Sequence, residues 1–185
     1  MKNIKNKTFG VLLGGLLLPA LLSSPVQADE LHVAASYSTD HLNGLRVGYR
    51  WTDGPKILPE SWFALVGSPR VHWELGLNTW VNSRHSDDRL NALTFSPVLQ
   101  WTLTQSNRPL FLEAGIGVSL LDDQQISDRD LSISFQFEDR IGLSWQYDPI
   151  SEARLSFSYA HYSQADLARP NDGLDFWVLT WHVPI

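Results

Sequence analysis

The sequence predicts an all-β fold, an eight-stranded antiparallel transmembrane β-barrel of the bacterial outer membrane. Three observations support this prediction. Apolar and polar residues alternate along eight segments, no apolar run after residue 28 is long enough for a transmembrane helix, and eight tryptophans occur in 185 residues. Alternation with a period of two is typical of a strand that has two different faces. An even number of such strands, each about ten residues long, is typical of an outer-membrane barrel.

Residues 1–28 are predicted to be a secretory signal peptide. Three lysines precede an apolar run over residues 11–22, and Val26-Gln27-Ala28 fits a small-x-small cleavage site. An N-terminal membrane anchor is the alternative, but the run is shorter than the roughly 20 residues that a spanning helix needs. The remaining residues, 29–185, are predicted to form one barrel domain. This part of the chain is acidic, which argues against binding to nucleic acid.

The eight predicted strands follow one another along the chain. They cover residues 31–38, 45–51, 71–78, 93–103, 111–120, 137–147, 154–163 and 176–185. Loops after the third, fifth and seventh strands are predicted to face the cell exterior, over residues 84–89, 122–130 and 164–173. The connection 51–70 is unusually long for the periplasmic side. Its apolar residues 62–66 form either a short interfacial segment or an extension of the third strand.

The two faces of the predicted strands differ in a way that favours a membrane barrel. A soluble lipocalin-like barrel would turn the apolar face inward, where six tryptophans would overfill a small cavity. These tryptophans are instead predicted to face lipid: Trp51, Trp73, Trp101, Trp145, Trp177 and Trp181. The polar face is predicted to fill the interior with salt bridges rather than to line a pore. It carries Arg46, Arg50, Arg140, Arg154, Glu74, Glu113 and Glu138.

Polar residues interrupt the lipid-facing side near the outer end of the last two strands. His161 and Ser163 share the face of the apolar residues of the seventh strand, and Asp175 begins the eighth strand on the same face. Residues i and i+2 of a strand lie about 7 Å apart on one face, so the three side chains can meet. A serine nucleophile, a histidine base and an orienting carboxylate are the parts of a serine hydrolase. From the spacing alone, ordinary polar residues at the membrane interface are the simpler explanation.

The sequence around these residues resembles a known family. Ala160-His161-Tyr162-Ser163-Gln164-Ala165, followed by Pro170-Asn171-Asp172-Gly173, is similar to the C-terminal signature of the lipid A 3-O-deacylase (PagL) family, and segments 111–118, 137–142 and 182–185 are similar too. The resemblance implies an outer-membrane barrel that removes the acyl chain ester-linked at position 3 of lipid A. It also implies that His161 and Ser163 carry the chemistry. Two positions depart from the family, which usually has glutamate in place of Asp175 and asparagine in place of Gln164.

Further expectations follow for the site and its partners. Candidates for oxyanion binding or support of the histidine are Asn171, Gln164 and the backbone N–H of Gly173. An acyl-chain groove is expected along Leu155, Phe157, Tyr159, Trp177 and Leu179. No cofactor or metal is expected, and His32, His72 and His182 are interpreted as interior filling. The expected partners are lipopolysaccharide and outer-membrane lipids, and the sequence leaves open whether the chain forms a homodimer.

Two other functions are compatible with a small outer-membrane barrel. One is a non-enzymatic structural protein or adhesin, which has no need of a polar cluster on the lipid-facing side. The other is a different lipid enzyme, such as an acyltransferase or phospholipase. A transferase would typically admit its acyl chain to the barrel interior, which is predicted here to be charged and filled.

Overall fold

The structure is a computed structural model that describes residues 30–51 and 59–185. Eight antiparallel strands form a closed barrel in which the first strand pairs with the last, and this confirms the predicted fold. The predicted signal peptide lies outside the described residues. The elements are β1 Glu30–Tyr37, β2 Leu42–Trp51, α1 Glu60–Leu65, β3 Arg70–Asn82, β4 His85–Thr102, β5 Leu110–Leu121, β6 Gln125–Ile126, β7 Arg129–Asp130, β8 Phe135–Gln146, β9 Arg154–Ser163 and β10 Leu174–Pro184.

The two ends of the barrel are built differently. We call the end that holds Glu30 and Pro184, which are paired across β1 and β10, the terminal rim. The opposite end is the loop rim, and it carries the connection 122–134, in which β6 and β7 form a separate small hairpin, and the connection 164–173. In the part of the chain that the structure describes, no helix combines the length and the hydropathy needed to cross a bilayer.

Two local predictions need correction. The predicted loop 84–89 is mostly strand, because β4 begins at His85 directly after a tight turn and runs for 18 residues. The apolar segment 62–66 does not extend the third strand. Most of it lies in α1, which is separated from β3 by a turn, and the indole Nε1 of Trp101 donates a hydrogen bond of 2.6 Å to the carbonyl oxygen of Val66.

Charged side chains fill the half of the interior nearer the terminal rim, as predicted. The fully buried carboxylate of Glu74 accepts hydrogen bonds from Arg50 and Arg140, at 2.6 Å each, and from Arg46 at 3.3 Å. A buried ion pair is stable only when each charge has good partners, and here each guanidinium lies between carboxylates or beside one. The other pairs of this network are Arg46–Glu138, Arg50–Glu113 and Arg154–Glu30.

The half of the interior nearer the loop rim is apolar, which differs from the prediction of a charged interior throughout. Trp80 stacks on Phe176 with ring centroids 5.2 Å apart, and both are almost fully buried. Ile126, from the predicted outer loop, and Leu131, directly after it, belong to the same buried cluster. The small hairpin therefore packs into the interior and covers it at the loop rim.

The outward face of the barrel is apolar and exposed. Its most exposed strand residues include Ile116, Leu45 and Leu77, each with 60% or more of its surface accessible. An exposed apolar surface of this extent marks a site that contacts lipid or another protein, and a continuous apolar band around a closed barrel is typical of membrane barrels.

Candidate active site

The pairing of β9 with β10 brings two of the predicted site residues together. His161 and Asp175 are direct partners across this pair, and the imidazole Nδ1 lies 2.7 Å from the carboxylate Oδ1. Both side chains are on the outward face and partly exposed, at 36% and 45%. Because Nδ1 is engaged with the carboxylate, Nε2 is the ring nitrogen left to act on another group. Asp175, although one methylene shorter than the glutamate usual at this position in the resembled family, therefore still reaches His161.

Ser163 is the last residue of β9 and lies on the same outward face, two residues beyond His161. Its neighbour across the β8–β9 pair is Phe137. Within the described residues, its hydroxyl forms no hydrogen bond with His161. In enzymes without substrate, catalytic hydrogen bonds are often long and tighten only in the complex. The strand register thus places Ser163 on the same face as His161, two residues further along the strand.

Gln164 has a different place from the one expected for an oxyanion donor. Its side chain is fully buried, and its amide nitrogen donates to the carbonyl oxygen of Ala168 at 2.5 Å. Its amide oxygen accepts from the backbone N–H of Ala168 at 2.6 Å. Both ends of the amide are therefore used to fold the connection 164–173, and Gln164 leaves the set of oxyanion candidates.

Asn171 and Gly173 stay close to the site. The side-chain oxygen of Asn171 accepts the backbone N–H of Gln164 at 3.2 Å, which ties the end of the connection to the residue that follows Ser163. Gly173 has a positive φ of 62°, and a Cβ added there would lie 3.2 Å from Cε1 of His161. The backbone of the connection therefore passes against the imidazole, where only glycine fits without strain.

Aromatic rings continue the site along the outward face. Phe157 and Trp177 are stacked in parallel with centroids 5.4 Å apart, and Tyr159 meets the edge of Trp177 at the same distance. Leu179 is the strand partner of Phe157. These predicted groove residues, together with Leu155, form one exposed apolar surface that leads from His161 toward the terminal rim.

The small hairpin β6–β7 holds the connection 164–173 in place. Arg129 forms a 2.6 Å ion pair with Asp40 and also donates to the backbone carbonyl of Asp172 at 3.1 Å. The backbone N–H of Asp130 donates to the Asp172 carboxylate at 2.8 Å. The hydrogen bond to Asp40 raises the pKa of Arg129 above its usual value, so the guanidinium stays charged. Three separate stretches of the chain are thus interlocked beside the site.

Sequence reasoning missed two features near His161. Tyr159 was expected only to line the acyl groove, but its hydroxyl donates to Oδ1 of Asp175 at 2.5 Å. Asp139 was not considered, yet it is the direct partner of His161 on the other side, across β8 and β9. The alternation of Phe137 and Ile141 already places Asp139 on the outward face, so the strand parity was the signal that could have found it.

A second serine, histidine and carboxylate meet inside the barrel. Ser156 Oγ lies 2.9 Å from Nε2 of His182, and Nδ1 of His182 lies 3.3 Å from Glu30 Oε2. All three residues are buried, and Glu30 also pairs with Arg154. Ser156 and His182 line a small interior cavity with room for about one water molecule, which is too small for a lipid ester. This set belongs to the charged network and provides a natural control for the outward set.

If His161 is the base of an ester hydrolase, as the sequence predicts, Gly173→Ala is expected to lower the turnover about 10- to 100-fold, because the added methyl group pushes against His161 and small displacements of a catalytic group are costly. The measurement is the rate of ester hydrolysis by the folded protein. Gly67→Ala is the matched control. Gly67 also has a positive φ, of 85°, but its added Cβ would lie an ordinary 3.5 Å from Trp101. Equal activity of both variants would contradict the close approach.

These features define a class, a small outer-membrane type of β-barrel that carries a polar site on its otherwise apolar outer side. The chain belongs to the lipid A 3-O-deacylase (PagL) family, whose model matches residues 43–184. It is 30% identical over 172 residues to lipid A deacylase PagL of Pseudomonas aeruginosa, and the matched region covers 91% of this chain and 95% of that protein. It is 27% identical over 180 residues to lipid A deacylase PagL of Bordetella bronchiseptica, with 96% and 95% covered.

Solved structures agree with this assignment. The fold matches a crystal structure of the outer membrane enzyme PagL with a TM-score of 0.68 and 26% sequence identity, over 84% of this chain and 99% of that one. It also matches a de novo designed transmembrane β-barrel with a TM-score of 0.53 and 12% identity, which reflects the fold alone. The chain is therefore an enzyme of the deacylase family on an eight-stranded barrel.

Proposed function

We propose that this protein is a serine-type ester hydrolase that removes the 3-O-linked acyl chain from lipid A, with Ser163 as nucleophile, His161 as general base and Asp175 as the orienting carboxylate. The observation that carries the proposal is the 2.7 Å contact between His161 and Asp175, beside Ser163, on the apolar outer side of a barrel of this family. A polar cluster on a lipid-facing surface is energetically costly, and such clusters mark functional sites.

The proposed reaction has two steps. Ser163 Oγ attacks the ester carbonyl carbon while its proton passes to Nε2 of His161, and the tetrahedral intermediate expels the sugar oxygen, which takes that proton. Water then attacks the acyl-enzyme with His161 again as base, so that the fatty acid leaves and Ser163 regains its proton. Asn171 and the backbone N–H of Gly173 are the proposed donors to the oxyanion, and the amide nitrogen of Asn171 would exchange its long 3.4 Å hydrogen bond to Asp166 for this one. No cofactor takes part.

The location of the site suits a substrate that stays in the membrane. We propose that residues 1–28 direct export and are removed, and that the loop rim faces the cell exterior. The lipid acyl chains then lie along the surface around Phe157 and Trp177, with the ester near headgroup depth. Because these chains are already in the bilayer, the hydrophobic gain of about 0.8 kcal/mol per CH₂ relative to water is largely realised beforehand. The groove therefore supplies orientation more than affinity.

The test is mass spectrometry of lipid A after incubation with the protein, expressed from the full chain and purified from membranes in detergent. We expect the loss of one ester-linked hydroxyacyl chain. Lipid A that already lacks its 3-O chain is the matched substrate control and is expected to stay unchanged. Release of fatty acid from glycerophospholipids instead of lipid A would point to a phospholipase. An unchanged mass of both lipids with folded protein would overturn the proposal.

A further inference from the structure

The carboxylate of Asp175 has two donors on one oxygen. Oδ1 accepts the hydroxyl of Tyr159 at 2.5 Å and faces Nδ1 of His161 at 2.7 Å. Tyr159 lies two residues before His161 on β9, and its cross-strand partner on β10 is Trp177. The rings of Tyr159 and Trp177 form a T-shaped pair with centroids 5.4 Å apart, so the ring from which the hydroxyl projects packs against a neighbour on β10.

This second donor matters because Asp175 is exposed on the surface of the barrel. The side chain of Asp175 is 45% exposed, and the terminal torsion of an aspartate has a broad, weakly defined preference. A single hydrogen bond to His161 leaves the carboxylate free to turn about that torsion. A hydrogen bond between a neutral donor and a charged acceptor is stronger than one between neutral groups, and more so where water is scarce.

We propose, on the basis of the proposed hydrolase function, that Tyr159 is a positioning residue of this site. Its hydroxyl holds the Asp175 carboxylate in the rotation that orients His161, and it does not touch the reacting ester. The arrangement suits a chain with the shorter aspartate, since an orienting carboxylate with one methylene fewer has to be held close to the strand. Tyr159 therefore contributes through its hydroxyl, in addition to the apolar ring that it adds to the groove.

The first test is Tyr159→Phe, which keeps the ring and removes only the hydroxyl. We expect kcat on lipid A to fall about tenfold, the effect of losing one hydrogen bond to a charged group, with KM unchanged. Tyr147→Phe is the matched control, because Tyr147 also presents its hydroxyl on the outer surface, where it accepts the Trp181 indole N–H at 2.8 Å. This control is expected to keep the wild-type kcat.

The second test is a double-mutant cycle with Asp175→Ala. It separates action through Asp175 from a general structural role of the Tyr159 hydroxyl. If Tyr159 acts through Asp175, Tyr159→Phe has no further effect on kcat once Asp175 is removed. An unchanged kcat in Tyr159→Phe alone would overturn the inference, and so would a tenfold loss that persists in the Asp175→Ala background. A rise in KM with constant kcat would overturn it too, since it would assign the hydroxyl to substrate binding.

The failure of the inference is distinguishable from the failure of the proposed function. The same variants are assayed on a p-nitrophenyl ester of a medium-chain fatty acid, which reports on the nucleophile without lipid A. An inactive wild type on lipid A with an active ester assay overturns the substrate assignment but still tests Tyr159. A wild type that is inactive on both substrates overturns both proposals.

Discussion

Ser163→Ala is expected to reduce deacylation of lipid A at least about 1000-fold and to leave the barrel folded. The substitution removes the proposed nucleophile. Among the described residues, Ser163 carries the only hydroxyl that follows His161 on the outward face of β9. Ser163 is partly exposed at the end of its strand, so loss of the hydroxyl leaves no buried group unpaired. The measurement is single-turnover release of the acyl chain, followed by mass spectrometry.

Ser156→Ala provides a control within the same strand. Ser156 also lies against a histidine, His182, which neighbours a carboxylate, but all three side chains are buried inside the barrel. We expect this variant to keep its activity and to lose about 1–2 kcal/mol of stability, because the Nε2 of His182 loses its partner. The reverse result, with activity lost in Ser156→Ala and kept in Ser163→Ala, would move the reaction to the interior and contradict the proposed site.

Glu74→Ala is expected to have the largest effect on stability, about 3–5 kcal/mol. Glu74 is fully buried and accepts hydrogen bonds from Arg46, Arg50 and Arg140. Its removal leaves three guanidinium groups in the interior with one fewer carboxylate, and such charges are costly to bury unpaired. The free energy of unfolding in urea, measured in detergent micelles or lipid vesicles, reports the loss.

The matched control for Glu74→Ala is the removal of a carboxylate that is exposed and has no arginine partner. Asp123 is exposed in the connection after β5, and its carboxylate accepts only the neighbouring backbone N–H of Gln124. Asp123→Ala is expected to change the free energy of unfolding by less than about 0.5 kcal/mol, as is usual for surface substitutions. If Glu74→Ala were as mild as Asp123→Ala, the interior charges would have to be hydrated rather than paired.

Much of the site could be predicted because strand parity is a strict rule. Alternation alone places His161, Ser163 and Asp175 on one face, and the pairing of neighbouring strands brings Asp175 opposite His161. The hydrogen bond from Tyr159 was not predictable, because it depends on side-chain torsions that the pattern does not specify. The hydrogen bonds of the Gln164 amide were not predictable for a similar reason, since its partners come from the fold of a connection without regular structure.

The interior was predicted only in part, because the predicted strands were too short. The apolar core near the loop rim includes Trp80 and Leu90, which lie beyond the predicted ends of the third strand and before the start of the fourth. It also includes Ile126 and Leu131 from a segment that looks like a solvated acidic loop. Two apolar residues among several aspartates give little periodic signal, and only the closed barrel shows that they point inward.

The interlocking of Asp40, the hairpin β6–β7 and Asp172 has a consequence for the exchange of parts between related barrels. The connection 164–173 is not a self-contained module, since its shape depends on Arg129 and Asp130, and Arg129 in turn is anchored on the far side of the β1–β10 seam. A chimaera that receives this connection alone has the sequence motif but lacks the ion pair and hydrogen bonds that hold it in place. Transplantation of the site therefore requires all three stretches together, and natural variation in one of them is expected to be accompanied by change in the others.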